Sequence, residues 1–158
     1  MSMLEKYRES VEEFKRVDHL YHVSLKYTRT VDIIRSAIER IISTYENSVE
    51  CFIEFLKEEK LAPTVPDNPV GKAMIVLENI KSKQVETSMN LYLKLRRIMR
   101  EPYGKREEFR RHVTMTTELD GEKLEIDIDK IKEYYDITTE FLSFLKKSIE
   151  PYVDSEEE

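Results

Sequence analysis

The densest group of residues able to do chemistry is the basic segment from Lys94 to His112. It contains eight lysine or arginine residues and three glutamates, whereas the rest of the chain holds 18 basic and 29 acidic residues. Guanidinium groups pair bidentately with phosphate oxygens, so clustered arginines indicate an anion-binding or RNA-binding patch. The arginines assigned to this patch are Arg97, Arg100, Arg110 and Arg111. The alternative is that these cations complement the dipole at a helix C-terminus and keep that end of a bundle hydrated.

Arg106 and His112 form the candidate catalytic pair within this segment. A histidine can transfer protons near neutral pH, and an arginine can stabilise the negative charge that develops on a phosphate. An arginine and a histidine close together in sequence are also common without any catalytic role. The spacing therefore leaves catalysis and simple anion binding both open.

The order of elements around this pair resembles that of HEPN (higher eukaryotes and prokaryotes nucleotide-binding) domains. Two long helices and a third precede Arg106-Glu-Glu-Phe-Arg-Arg-His112, and Ile126-Asp-Ile-Asp129 introduces the last helix. The resemblance implies metal-independent RNA cleavage in a groove between two subunits, or an RNA-associated toxin-like protein. His112 would then handle protons while Arg106 stabilises charge. HEPN domains usually carry Asn, Asp or His after the arginine, whereas this chain has Glu107 and a hairpin instead of a short loop.

The segment Glu108-Phe-Arg-Arg111 is also similar to one in uncharacterised archaeal helical-bundle proteins, where a C-terminal hairpin and helix follow it. The N-terminal half of those proteins resembles Asp18-His-Leu-Tyr-His22 and the helix after it. In those proteins the histidine after the arginines is not obligatory. This resemblance implies that His112 is replaceable, and it favours binding over catalysis.

Asp18, His19 and His22 are a second group with possible chemistry. Asp18 and His22 lie one helical turn apart, and two metal ligands could come from this turn. A bundle metal site also needs carboxylates from a facing helix, yet the glutamates of the next helix lie off its apolar stripe (Glu39, Glu46, Glu50 and Glu54). The sequence therefore favours a polar layer that fixes helix register, with a metal site as the alternative. No glycine-rich phosphate loop, zinc motif or serine elbow occurs, so no cofactor is expected.

Apolar residues recur every three or four positions over most of the chain, which predicts long amphipathic helices. The first helix carries Leu4, Tyr7, Val11, Phe14, Tyr21 and Leu25, with Asp18 at an expected apolar position. The second stripe, from Val31 to Leu56, predicts one helix over 31–60, about 45 Å long. Pro63, Pro66 and Pro69 mark a connector, and a third helical segment follows to about Arg100. Its polar middle, 81–90, is either a solvated stretch or a break.

The clearest local signal is Asp120-Gly121 between two runs of alternating apolar and polar residues, which predicts a type I′ β-hairpin over about 113–128. The predicted register places Leu119 opposite Glu122 and Val113 opposite Ile128, so that one face is almost wholly apolar. That face must lie on the helices or on a second copy. The sequence further predicts that Asp129 caps the last helix and that Pro151 ends it.

Bulk composition sets the class of protein. With 37% charged and 40% hydrophobic residues and three glycines, the chain is predicted to be mainly α, an elongated bundle of about four helices with one hairpin before the last helix. One domain over 1–153 and a disordered acidic tail over 154–158 are expected. The single Cys51 and the lack of an apolar run suit a cytoplasmic protein without a membrane segment. The net charge of −6 argues against a protein that coats nucleic acid over its whole surface.

The functional prediction is a helical interaction module, forming a homodimer or binding a partner protein, with a local basic patch for an anion or RNA.

Overall fold

The computed structural model describes residues 2–61 and 64–157, and it has the predicted architecture. The helices are α1 (Met3–His19), α2 (Leu25–Tyr27), α3 (Val31–Glu58), α4 (Pro69–Asn79), α5 (Lys83–Ile98) and α6 (Ile128–Glu157), and a π-helical turn (Leu20–Ser24) joins α1 to α2. Three short strands, β1 (Gly104–Arg106), β2 (Thr114–Leu119) and β3 (Glu122–Ile126), form an antiparallel sheet before α6. The prediction of a mainly α bundle with a hairpin before the last helix is confirmed.

Helix α3 is the centre of the bundle. Its 28 residues span about 42 Å at the usual rise, and Thr30 caps its first turn by accepting from the Ile33 N–H at 3.3 Å. Two aromatic side chains of α3, Tyr45 and Phe52, are fully buried. Both contact Phe141 of α6, with ring centroids 5.1 and 5.6 Å apart. The predicted unbroken second helix is confirmed.

The first helix follows a different seam from the predicted one. Its buried positions are Met3, Ser10 and Val17, and Asp18 is exposed. Ser10 and Ser48 of α3 meet with their hydroxyl oxygens 3.2 Å apart, where small side chains let the two helices approach closely. Because Ser10 is polar, the sequence does not show it as a core position, and the predicted apolar stripe lies one residue away from the buried one. Asp18 therefore never lay at a core position, and the prediction of a core polar layer is wrong.

The third helical segment is broken. Ile80 has extended backbone dihedrals, φ −115° and ψ 103°, so α4 ends at Asn79 and α5 begins at Lys83. Before α4, the Asn68 side chain accepts from the Gly71 N–H at 2.6 Å, and Pro69 occupies the first turn, where a missing N–H costs nothing. Pro63 lies outside the described residues. Of the two alternatives for the polar middle, the break is correct, and the residues from Lys83 onward are helical.

The hairpin has the predicted turn and register. Asp120 and Gly121 both have positive φ, 53° and 81°, as a type I′ turn requires. Leu119 pairs with Glu122, and the ladder runs to Met115 opposite Ile126. Met115, Leu119 and Ile126 are buried in the common core, so the apolar face lies on the helices. A third strand, β1, pairs with β2 from Gly104–Thr116 to Arg106–Thr114 and was not predicted.

The predicted pair of Val113 with Ile128 is absent, because α6 begins earlier than expected. The Asp127 carboxylate accepts from the Lys130 N–H at 2.8 Å, so Asp127, not Asp129, caps α6. The chain therefore leaves the sheet directly after Ile126. The helix also continues through Pro151 to Glu157, which contradicts the prediction that Pro151 ends it. Glu158 lies outside the described residues, and the disorder of 154–158 stays a prediction. None of the described helices combines the length and apolar character of a membrane span.

Candidate nucleic-acid interface

The loop that joins β1 to β2 carries the exposed arginines, and its backbone has an unusual shape. Glu107 and Phe109 adopt left-handed dihedrals, with φ of 60° and 65°. Residues other than glycine, asparagine and aspartate seldom adopt these backbone angles, because the Cβ atom then lies too close to the following carbonyl oxygen. The surrounding structure must therefore hold the loop in place.

Two hydrogen bonds to residues 29–31, at the start of α3, fix this loop. The Phe109 N–H donates to the Arg29 carbonyl at 2.7 Å. The Glu108 carboxylate accepts from the N–H of Val31, the first residue of α3, at 3.0 Å. Glu108 thus satisfies the free N–H of the first helical residue, while the N-cap residue Thr30 accepts from Ile33 two residues further on. Residues almost 80 positions apart are joined here, and the loop 107–113 becomes a built part of the bundle.

Half of the cations in the basic segment are neutralised by carboxylates. Arg96 contacts Glu46 at 2.5 Å, Arg97 contacts Asp120 at 2.6 Å, Lys105 contacts Asp32 at 3.2 Å, and Arg106 contacts Glu125 at 2.7 Å. The hydrogen bond from Arg106, followed by its charge, lowers the pKa of Glu125 from its usual value. Arg96 thus joins α5 to α3, whereas the other three cations tie the sheet to the helices or to itself.

Arg110 and Arg111, in contrast, are exposed and make no ion pair with any described residue. Lys94 and Arg100 are also exposed without an ion pair in that part of the chain, but they belong to α5 and its end. Arg97 contacts the hairpin turn, whereas Arg110 and Arg111 lie beyond the opposite end of β2. The six residues of β2 span about 20 Å. Arg97 and the pair Arg110–Arg111 therefore lie at opposite ends of the sheet, so the four arginines do not form the single predicted patch.

Arg29 is a cation of this site that the sequence did not indicate. Its Nε atom is buried and finds no hydrogen-bond partner among the described residues. Together with Arg111 and His112 it lines a hollow of about 220 Å³ in front of α6, which Asp127, Ile128 and Asp129 complete. Nothing in the sequence indicated Arg29, because it lies far before the basic segment along the chain. Only the threonines beside it carried a signal, which was that of a helix cap.

The two members of the candidate catalytic pair line different hollows. Arg106 lies on the outer face of the sheet, in a depression with Thr116, Lys123 and Glu125. His112 lies in the hollow with Arg29, and its carbonyl accepts from the Thr114 hydroxyl at 2.8 Å. The side chain of His112 is exposed. The cations that share a hollow with His112 are thus Arg29 and Arg111, and Arg106 is not among them.

Two exposed aromatic rings stand at the same end of the sheet. Phe109, between Glu108 and Arg110, is 76% exposed, and Tyr27, two residues before Arg29, is 78% exposed. Neither ring has an aromatic partner among the described residues. Single exposed apolar side chains are common, but two rings beside unpaired arginines form a surface of mixed aromatic and cationic character. We call Tyr27, Arg29, Phe109, Arg110 and Arg111 the basic-aromatic surface.

The Asp18 group forms a surface contact at the π-helical turn. His22 Nδ1 lies 3.1 Å from Asp18 Oδ1, and the Tyr135 hydroxyl donates to the same oxygen at 2.5 Å. Burial, followed by this hydrogen bond to a carboxylate, raises the pKa of Tyr135 to about 12. His19 is exposed and adds no contact to this pair that the structure shows. Within the described residues, no three His, Cys, Asp or Glu side chains are grouped to hold a metal ion.

Comparison with known proteins found no family model, no curated protein and no solved structure that matches this chain. The resemblance to HEPN domains and to archaeal helical-bundle proteins therefore stays a prediction, and function must be argued from the site.

Proposed function

We propose that this protein binds single-stranded RNA through the basic-aromatic surface. The observation that carries the proposal is the contrast between Arg110 and Arg111, which have no carboxylate partner in the described chain, and the paired cations of the same segment. A side chain that only solubilises the end of a bundle needs no particular neighbours. Here the unpaired arginines directly follow an exposed phenylalanine in a strained loop. Strain in a loop that distant contacts hold in place is characteristic of functional sites.

The chemistry of the surface favours a single strand over a duplex. Duplex binding depends on many cations that follow the phosphates, and this chain has a net charge of −6. Single strands offer unstacked bases, which stack on aromatic side chains and on guanidinium planes. Phe109 and Tyr27 supply two rings, and the arginines supply the phosphate contacts. A short stretch of a few nucleotides matches this limited surface.

The hollow beside His112 is a less favourable place for a phosphate than the outer surface. Asp127 and Asp129 line it together with Arg29 and Arg111, so its positive charge is largely offset. Asp127 is also committed to the first turn of α6. The phosphate contacts are therefore assigned to the solvent side of Arg110 and Arg111, with Arg29 beneath them.

The proposal is tested by fluorescence anisotropy with a labelled 12-nucleotide single-stranded RNA over a range of salt concentrations. The Arg110→Ala, Arg111→Ala double variant is expected to weaken binding and to reduce the dependence of log affinity on log salt by about 0.7 for each phosphate that the variant no longer neutralises. Phe109→Ala is expected to cost about 1–3 kcal/mol, the usual contribution of one stacked base. The matched control is Arg97→Ala, which removes an arginine at the other end of the sheet.

Equal losses in the Arg97→Ala control and the double variant would show only a general charge effect and would contradict the proposal. The same holds if the wild-type protein shows no saturable binding at low salt. A duplex of the same sequence distinguishes the two forms of nucleic acid. Tighter binding to the duplex would contradict the single-strand assignment.

A second function, metal-independent RNA cleavage, is favoured by one observation. His112 is exposed beside two arginines, Arg29 and Arg111, that the described structure leaves without a carboxylate partner. In this arrangement the ribose 2′-hydroxyl would attack the adjacent phosphate and displace the 5′-oxygen of the next nucleotide, which leaves a 2′,3′-cyclic phosphate. His112 would take the proton from the 2′-hydroxyl, and the departing 5′-oxygen would be protonated from solvent. A gel assay with chelator present would compare the wild type with Arg106→Ala and His112→Ala. Cleavage lost in His112→Ala alone would support this geometry, whereas cleavage lost in both would support the pair expected from the HEPN resemblance. Binding without cleavage in any protein would leave RNA binding as the function.

A further inference from the structure

The outer edge of β3 carries backbone groups that no described residue uses. Strand order is β1-β2-β3, so β3 pairs on one side alone. A two-residue turn makes Leu119 and Glu122 a hydrogen-bonded pair, and such pairs alternate along an antiparallel ladder. Leu124 and Ile126 therefore face β2, while the N–H and C=O groups of Lys123 and Glu125 point outward. No backbone hydrogen bond to either outward residue occurs in the described chain.

The side chains on this edge have alternating charge. Lys123 and Glu125 are both exposed, and both lie on the outer face of the sheet. Exposed edges usually carry charges that prevent pairing with another strand. A run of one sign would do this in every register of a second copy of the same strand. Opposite charges two residues apart exclude most registers but allow one in which each charge faces its opposite.

We propose that β3 pairs antiparallel with β3 of a second copy of this chain, with the two-fold axis at Leu124. The outward groups must face each other to form hydrogen bonds, so Lys123 of one copy lies opposite Glu125 of the other, and the reverse. This arrangement gives four backbone hydrogen bonds and two opposite-charge pairs. The two three-stranded sheets then form one sheet of six strands.

The neighbouring registers are excluded by charge. A shift of two residues in one direction places Lys123 opposite Lys123 of the second copy, and the opposite shift places Glu125 opposite Glu125. Like charges directly opposite each other on a sheet are destabilising. A shift by a single residue would place Leu124, whose backbone groups are used by Thr117, at a hydrogen-bonding position. One register therefore satisfies both the backbone and the side chains.

The inner side of this edge also suits a second copy. Leu124 and Leu93 of α5 are only half-buried and line an open hollow of about 330 Å³ beside β3. In the proposed register Leu124 and its symmetry mate form the closer, non-hydrogen-bonded type of pair. Their side chains then cover part of this apolar surface in both copies.

Analytical ultracentrifugation over a wide range of concentration tests this pairing by exchanging its charges. Lys123→Glu places two glutamates opposite each other and is expected to weaken dimerisation roughly tenfold or more. Glu125→Lys is expected to do the same with two lysines. The double variant Lys123→Glu, Glu125→Lys restores opposite charges and is expected to recover the dimer. Arg106→Ala is the matched control, because Glu125→Lys also breaks the Arg106 contact within the chain. A monomer at all concentrations, or a double variant no better than the single ones, would overturn the proposal.

A cysteine cross-link locates the axis independently of these charges. Non-hydrogen-bonded pairs have Cα atoms about 4.5 Å apart, which is within the range for a disulfide. Leu124→Cys is therefore expected to give a covalent dimer on mild oxidation. The wild type has the single, buried Cys51 and should give none. Glu118→Cys, exposed on the central strand β2, is the matched control. Equal cross-linking of the two variants, or none in Leu124→Cys, would refute the axis. These tests use no RNA, so failure of the RNA proposal would leave them unaffected.

Discussion

Two connections reverse the direction of the chain between strands of the sheet, and their backbone conformations are stabilised in different ways. The hairpin turn Asp120-Gly121 uses two positive φ angles, and so does the loop 107–113, at Glu107 and Phe109. In the turn, glycine and aspartate adopt these angles at low cost. In the loop, glutamate and phenylalanine adopt them and are held by hydrogen bonds to the start of α3. The first connection is determined by its own residues, and the second by residues far away in sequence.

The two connections also differ in whether their charged side chains are paired. Asp120 in the turn is paired with Arg97, so the turn is electrically balanced. Arg110 and Arg111 in the loop have no such partner in the described structure and stand beside an exposed ring. A connection that serves only the fold needs neither strain nor unpaired charge. Their coincidence in one loop is the reason for assigning function to it.

Loss of the distant hydrogen bond is expected to have the largest effect on stability. Glu108→Ala leaves the N–H of buried Val31 without an acceptor, which costs about 1–3 kcal/mol of the free energy of unfolding. Urea unfolding followed by circular dichroism measures this loss. Glu108→Gln is the matched control, since its amide oxygen can still accept the bond. Equal stability of Glu108→Ala and the wild type would show that the loop is not held by this hydrogen bond.

Gly121→Ala tests the locally determined connection. No atom lies within 4 Å of the added Cβ, so the substitution introduces backbone strain at φ 81° without a collision. The expected loss is about 1 kcal/mol, the cost of left-handed backbone less the entropy that alanine removes from the unfolded chain. Gly121→Asn, which tolerates this region, should lose less. RNA affinity, measured in parallel, should not change. A loss of RNA binding in Gly121→Ala would show that the two ends of the sheet are not independent.

The same comparison explains how much of the structure could be predicted from the sequence. The hairpin register from Leu119–Glu122 to Met115–Ile126 and the unbroken α3 followed from residues next to each other or on one helical stripe, and both are confirmed. The strand β1 and the role of Glu108 depend on partners in other elements, so neither has a local signal. The seam of α1 was misread for the same reason, because Ser10 is buried only by its match with Ser48. At the candidate site, the sequence indicated Arg110, Arg111 and His112, but the grouping of Arg29 with them required the fold.

Phe109→Asn is expected to separate stability from binding. Phe109 is 76% exposed, so its replacement loses little buried area, and asparagine accepts left-handed dihedrals more readily. The free energy of unfolding is therefore expected to rise by up to about 1 kcal/mol, while affinity for single-stranded RNA falls. Unfolding and anisotropy measurements on the same preparation give both quantities. A variant that is both less stable and unchanged in RNA affinity would show that the ring serves the fold.

The smallest expected effect is a change in the pH dependence of stability at the hairpin turn. The hydrogen bond and charge of Arg97 lower the pKa of Asp120 from its ordinary value. The unfolded chain therefore takes up this proton at a higher pH than the folded one, and the contribution to stability is present above about pH 4 and is lost as the pH falls below it. Asp120→Asn and Arg97→Ala should each reduce the fall in Tm between neutral pH and acid by a similar small amount. Arg110→Ala and Arg111→Ala should not alter it, because neither arginine has a carboxylate partner in the described structure. If these two variants changed the pH profile as much as Arg97→Ala, the distinction between a balanced turn and an unbalanced loop would fail.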